Sequence, residues 1–139
     1  MQWIQWILIG LTGVYIIYKD LKERIIPNEI NLFIFICGIG VMIYTGQYIS
    51  HVTGCLVLGM GMLFVAVITK AFGLGDVKYI FASGMLLGFR LAGYGLIIGI
   101  IFGGIFSAAL LVTKKVTMKD HIAYGPYLVM GNVVALLML

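Results

Sequence analysis

The sequence predicts an all-α integral membrane protein, a bundle of about six transmembrane helices forming one domain over residues 1–139. Three observations predict it: the composition, the division of the chain into apolar runs, and the placement of its basic residues. Hydrophobic residues are 63% of the chain and charged residues 10%, against about 45–50% and about 25% in ordinary soluble domains. Mean hydropathy is +1.15. Small soluble domains bury only part of the surface they expose, so a chain this short has nowhere to hide so much apolar area, and lipid is the solvent that fits.

A spanning helix needs roughly 20 mostly apolar residues. The apolar runs cover 3–18, 30–49, 52–68, 79–89, 91–112 and 122–139, with short polar breaks between them. The first break holds Lys19, Asp20, Lys22, Glu23, Arg24 and Glu29, and the second, around 47–51, has no Lys or Arg. The third includes Lys70, Asp76 and Lys78, the fourth only Arg90, and the fifth Lys114, Lys115, Lys119 and Asp120. Odd-numbered breaks thus carry every Lys and Arg except Arg90, which is the asymmetry of the positive-inside rule. It places those breaks in the cytoplasm and both chain ends outside, in a multi-pass protein of the cell membrane. Removing any one span would scatter the positive charges over both sides.

The fourth run, 79–89, is too short to cross alone at about 1.5 Å per residue. It is expected to extend to Asp76 on one side and to Arg90 or Leu91 on the other. A re-entrant segment is the alternative, but it would put Lys114 and Lys115 outside. The first run is read as a retained helix and not a cleaved signal, because no basic residue precedes it and no small-residue cleavage site falls before Lys19.

Small residues four apart let helices approach closely in lipid. Gly95, Gly99 and Gly103 have that spacing, as do Gly84 and Gly88, and compact packing is their expected role. Cys37 and Cys55 form no C-x-x-C pair and are read as small apolar residues, so neither a zinc site nor a disulfide is indicated. The formal charge of +4 is explained by topology, and no nucleic-acid partner is expected.

Ionisable residues at membrane depth are costly and usually functional. Asp20 lies at the predicted cytoplasmic end of the first span. Asp76 lies at the same end of the third, in Gly73-Leu74-Gly75-Asp76-Val77-Lys78. The second and third spans run out and back between them, so the topology can return both carboxyls to one face. Asp20 also fits a plain solvated loop among its charged neighbours. Asp76 is more pointed, since two glycines precede it and apolar runs flank it. Two carboxyls in one site resist ionising together, so the pair supplies a base and an acid. The base takes a proton from water attacking a peptide carbonyl, and the acid protonates the carbonyl oxygen and then the leaving amine. Ser50, Ser83 and Ser107 have no adjacent base, His51 is expected on the outer side, and His121 beside Asp120 is read as an interfacial polar residue.

The segment Asp20-Leu21-Lys22-Glu23-Arg24-Ile25-Ile26-Pro27-Asn28 resembles the D-x-x-x-R-x-I-P-N segment of type IV prepilin peptidases. Residues 73–78 resemble their G-x-G-D-x-K motif, and Tyr124-Gly125-Pro126 their aromatic-Gly-Pro segment. The G-x-G-D element alone is shared with presenilin-like proteases, whereas the three together, in this order, are specific. The resemblance spans nearly the whole chain. It implies a six-helix membrane fold with Asp20 and Asp76 as the catalytic pair and no metal or organic cofactor. It also implies cleavage of short basic leaders from prepilin, pseudopilin or preflagellin precursors at the cytoplasmic face. Arg24, Pro27, Asn28, Gly73, Gly75, Lys78, Gly125 and Pro126 are carried over as motif-supporting residues. Pro27 would fix the turn into the second span and Asn28 would cap it. Arg24 and Lys78 are open between substrate binding and holding the membrane boundary. Larger members carry paired C-x-x-C motifs linked to N-methylation. This sequence has none, so it resembles the short form of tight-adherence and preflagellin systems, and cleavage without methylation is expected.

Three other readings compete. A presenilin-like protease places its first aspartate inside a span and carries Pro-Ala-Leu, neither of which holds here. A cation transporter or channel would use the same acids near the midplane, whereas these map to one face. An inactive assembly subunit would not need intact motifs.

Overall fold

The computed structural model describes residues 2–117 and 122–139, and Lys119, Asp120 and His121 lie outside the described residues. All regular structure among the described residues is helical. The elements are α1 (Gln2–Glu23), α2 (Asn28–Thr45), α3 (Tyr48–Thr53), α4 (Gly59–Thr69), α5 (Leu74–Val112) and α6 (Gly125–Leu137). A π-helical turn, Gly54–Leu58, joins α3 to α4 into one rod over Tyr48–Thr69. Four helices, α1, α2, this rod and α5, are long and apolar enough to cross a membrane, and α6 is a shorter apolar helix. Their exposed faces carry large apolar side chains such as Leu11, Ile43, Phe64 and Ile105, as expected where lipid replaces water.

The fourth and fifth predicted runs belong to one 39-residue helix, α5, broken at Gly88. The fourth run begins at Leu74 and so takes in Asp76, as the length argument required. The chain reverses at the break: Tyr79 before it hydrogen-bonds Asn132, and Gly95 after it packs against the same residue. The first arm, 74–87, is buried along nearly its whole length. The second arm buries only Ala92, Gly95, Gly99 and Gly103. The first arm is therefore the bundle's central helix. α5 packs against α2, α3, α4 and α6, and α1 packs against α6 and α2.

The glycine stripe behaves as its spacing predicts. Gly95 and Gly99 lie against Gly131, and Gly99 also meets the Tyr127 carbonyl, so the second arm and α6 touch backbone to backbone. Gly88 has a different role from the expected one. Its φ of 80° and ψ of 169° fall in a region essentially restricted to glycine, and it makes the reversal. Carbonyls in the last turn before a break lack regular partners, and two buried side chains serve them. Gln5 Nε2 of α1 donates to Leu86 O at 3.0 Å. His51 Nδ1 of α3 lies 2.7 Å from Met85 O, and since a carbonyl only accepts, Nδ1 carries the proton. His51 thus lies at the opposite end of the first arm from Asp76.

Gly88→Ala is expected to destabilise the protein by about 1–3 kcal/mol, the range for a non-glycine residue forced into this backbone region. Gly40→Ala, where an added methyl meets nothing within 4 Å, is expected to be neutral or slightly stabilising. Thermal melts of the purified proteins in detergent test the pair, and equal midpoints for Gly88→Ala and the parent would refute the reversal.

Candidate active site

Asp20 occupies the last turn of α1 and is buried. The helix stops just beyond it. Arg24 takes a left-handed conformation with φ of 54°, and its N–H closes onto Asp20 O at 2.9 Å, a common way to end a helix. Pro27 then holds φ at −61° and ψ at 138°, and α2 starts at Asn28, so Pro27 fixes the turn as expected. The cap reading for Asn28 is corrected. Asn28 is the first helical residue, one place too late to cap, and its Oδ1 accepts a hydrogen bond from Lys78 Nζ at 2.9 Å instead.

Asp76 lies in the first turn of α5, with Gly73 at the N-cap. Its Oδ2 reaches back to accept the Gly73 N–H at 3.2 Å. A carboxylate in this position satisfies a free amide and faces the positive end of the helix dipole. Asp20 is oriented from another direction, its Oδ2 accepting the Gly125 N–H at 2.9 Å. Pro126 follows in the first turn of α6, where its missing N–H is no loss. A methyl on Gly125 would lie 2.5 Å from Asp20 Oδ2 and 3.2 Å from Ile26 Cδ1, so the carboxyl can rest on this amide only because the residue is glycine.

Asp20 and Asp76 line one cavity of about 380 Å³. Arg24, Asn28, Gly73, Gly75 and Lys78 line it too, while Gly125 joins it through Asp20. Pro27 and Pro126 do not line it and stand at the starts of α2 and α6. Two participants were not singled out from the sequence. Ile26 is buried and wedged between Gly75 and Gly125, its Cβ 3.3 Å from where a Gly75 methyl would sit. Tyr124 forms part of the wall and packs its ring on Phe72 at 4.6 Å between centroids. The signal for Ile26 was its place as the isoleucine of the D-x-x-x-R-x-I-P-N segment, and that for Tyr124 its place in the aromatic-Gly-Pro segment.

Fold and site together define a helical protein of membrane type with two buried carboxyls facing one cavity at one end of its bundle. The model of the type IV leader peptidase family matches residues 7–108, most of the chain, and the chain belongs to that family. The match contains both aspartate motifs but stops before Gly125, whose place in the site comes from its bond to Asp20. A prepilin leader peptidase/N-methyltransferase of Bacillus subtilis (strain 168) is 24% identical over 128 residues, 89% of this chain and 51% of that protein. Proteins of the same name from Aeromonas salmonicida (strain A449) and Aeromonas hydrophila are 26% and 25% identical over 142 residues, 96% of this chain and 47% of theirs. The chain spans about half the length of these relatives. No solved structure gives a significant match.

The clash at Gly125 should be specific to the Asp20 side chain. Gly125→Ala is expected to lower stability by about 1–3 kcal/mol, the effect of losing a buried hydrogen bond to a charged group. In an Asp20→Ala background it should cost clearly less, with a coupling of about 0.5–3 kcal/mol. Thermal melts of the four proteins measure the coupling, and strict additivity would show that the two residues do not meet.

Proposed function

We propose that this chain is a membrane-embedded aspartic endopeptidase that removes short basic leaders from prepilin, pseudopilin or preflagellin precursors. The observation that carries the reading is that Asp20 and Asp76, distant in sequence, line one cavity. The names of the relatives, prepilin leader peptidases, supply the substrate class. In the proposed reaction one carboxylate removes a proton from water as the water oxygen bonds to the scissile carbonyl carbon. The other, protonated, carboxyl gives its proton to the carbonyl oxygen. Collapse of the tetrahedral species breaks the C–N bond, and the proton taken from water passes to the leaving amine. Each carboxyl is held through Oδ2 by a backbone N–H, which orients it and lets its other oxygen serve the reaction.

The charge asymmetry supports a multi-pass placement in the cell membrane, with the cavity facing the cytoplasm and both chain ends outside. Both acids lie in terminal helical turns, a placement that favours a substrate arriving from the interface over an ion crossing the midplane. The chain carries no C-x-x-C pair, and the proposed activity is hydrolysis without methyl transfer.

Co-expression with tagged prepilin-like precursors, followed by gel shift and mass spectrometry, tests this. The parent is expected to remove the leader and leave an unmethylated amino terminus. Asp20→Asn and Asp76→Asn, at equal membrane levels, are expected to lose at least about 100-fold in rate, the lower range for general acid–base groups. Continued cleavage by Asp20→Asn would break the proposed pair.

A further inference from the structure

Asn31 lies in the first turn of α2, on the buried stripe that continues through Ile34, Gly38 and Val41. That stripe faces α5, since a methyl on Gly38 would meet Met85 and Leu86 of the first arm. Asn31 is 5% exposed, and neither its Nδ2 nor its Oδ1 has a hydrogen-bond partner. The other buried carboxamides are served: Gln5 bonds Leu86 O, and Asn132 bonds the Tyr79 hydroxyl. Unpaired buried amides are unfavourable, and more so in lipid, where no water can help. Packing alone would be better met by leucine.

Asn31 lines a groove of about 460 Å³ between α2 and the first arm of α5, with Leu32, Phe35 and Phe81. Asn28 and Lys78 belong both to this groove and to the carboxylate cavity. The two side chains, joined by a 2.9 Å hydrogen bond, border both spaces. A chain lying along the groove and past this pair enters the cavity of Asp20 and Asp76.

We propose that this groove receives the apolar stretch of substrate polypeptide adjoining the cleaved bond, with the Asn31 carboxamide, enclosed before binding, turning outward to pair with its backbone. The proposal rests on the peptidase reading above. A carboxamide offers one acceptor and one donor group, the complement of a peptide unit. A lipid acyl chain supplies neither, which selects a polypeptide over lipid. The apolar walls select apolar side chains, and the shared Asn28–Lys78 boundary connects the bound stretch to the acids.

The test places a photo-reactive amino acid at Leu32 in Asp76→Asn protein, co-expressed in membranes with a tagged prepilin-like precursor. The same probe at Val67, exposed on α4, is the control. Capture of the precursor from Leu32 is expected, mapped by mass spectrometry to residues beside the cut, with no precursor captured from Val67. In the active protein, Asn31→Leu is expected to melt no lower than the parent while its KM rises about tenfold and kcat holds, the effect of losing one to two hydrogen bonds. If the parent cleaves but Leu32 captures only lipid or a second copy of this chain, the groove proposal is overturned and the peptidase reading stands. Parental kinetics in Asn31→Leu overturn it equally. If the parent cleaves no precursor and Leu32 captures none, the peptidase reading has failed and the groove proposal falls with it.

Discussion

The hydrogen bond from the Gly125 amide to Asp20 ties the end of α1 to the start of α6 at 2.9 Å, and the rest of the carboxylate end is arranged around it. It requires a residue without a side chain at 125, because Asp20 occupies the space a methyl would fill. It requires α1 to stop soon after Asp20, which Arg24 achieves by turning left-handed. It also requires the following turn to stay close, and Ile26 keeps it there by filling the gap between Gly125 and Gly75. Because Gly75 precedes Asp76, the same isoleucine sets the distance between the helices that carry the two acids. A short chain of contacts, amide to carboxyl to turn to wedge, thus does what a soluble protein would leave to a larger core.

The opposite end obeys a different constraint. A helix that reverses leaves carbonyls in its last turn without regular partners. Gln5 and His51, from two other helices, donate to the carbonyls of Leu86 and Met85 just before Gly88. These bonds make the reversal a fixed point, and the first arm of α5 runs from it to Asp76. Within one turn of Asp76, Asn132 bonds the Tyr79 hydroxyl at 2.9 Å, locking α6 to the same arm. Since α6 also presents Gly125, this bond aligns the part that holds Asp20 with the part that carries Asp76. The buried polar residues outside the cavity therefore bear on its geometry even where they do not touch it.

What could be read beforehand follows from this division. The helical, membrane-type architecture was legible because composition and apolar run length report directly on solvent. Asp20 and Asp76 were legible because acids beside apolar runs are rare, and because the segments around them resemble a family's motifs. The reversal was less so: Gly88 fits a small-residue spacing, and nothing in a run of letters tells a glycine used for packing from one used for a positive φ. Asn28 was misread because helix starts are uncertain by a residue, and one residue separates a cap from a first-turn side chain free to bond Lys78. Ile26 was marked by its motif position, but its wedge role was not, because packing between two glycines is not written in a motif. Asn31 was invisible, a polar residue whose distinction is a partner it lacks.

The position of the acids at helix ends also bears on how such a site obtains water. Backbone departs from helix at Arg24 and through Ile25 and Ile26 to Pro27, and again around Gly73. At the bilayer core these unpaired amides and carbonyls would be intolerable, whereas at the boundary water can serve them. In the proposed hydrolysis the irregular backbone and the reacting water would therefore need the same location. On the proposed peptidase reading, a substrate with an apolar stretch beside the cut bond would gain from this arrangement. The segment can remain among apolar walls such as Leu32, Phe35 and Phe81. In that proposal the peptide bond beyond it would cross the Asn28–Lys78 boundary into the cavity of Asp20 and Asp76.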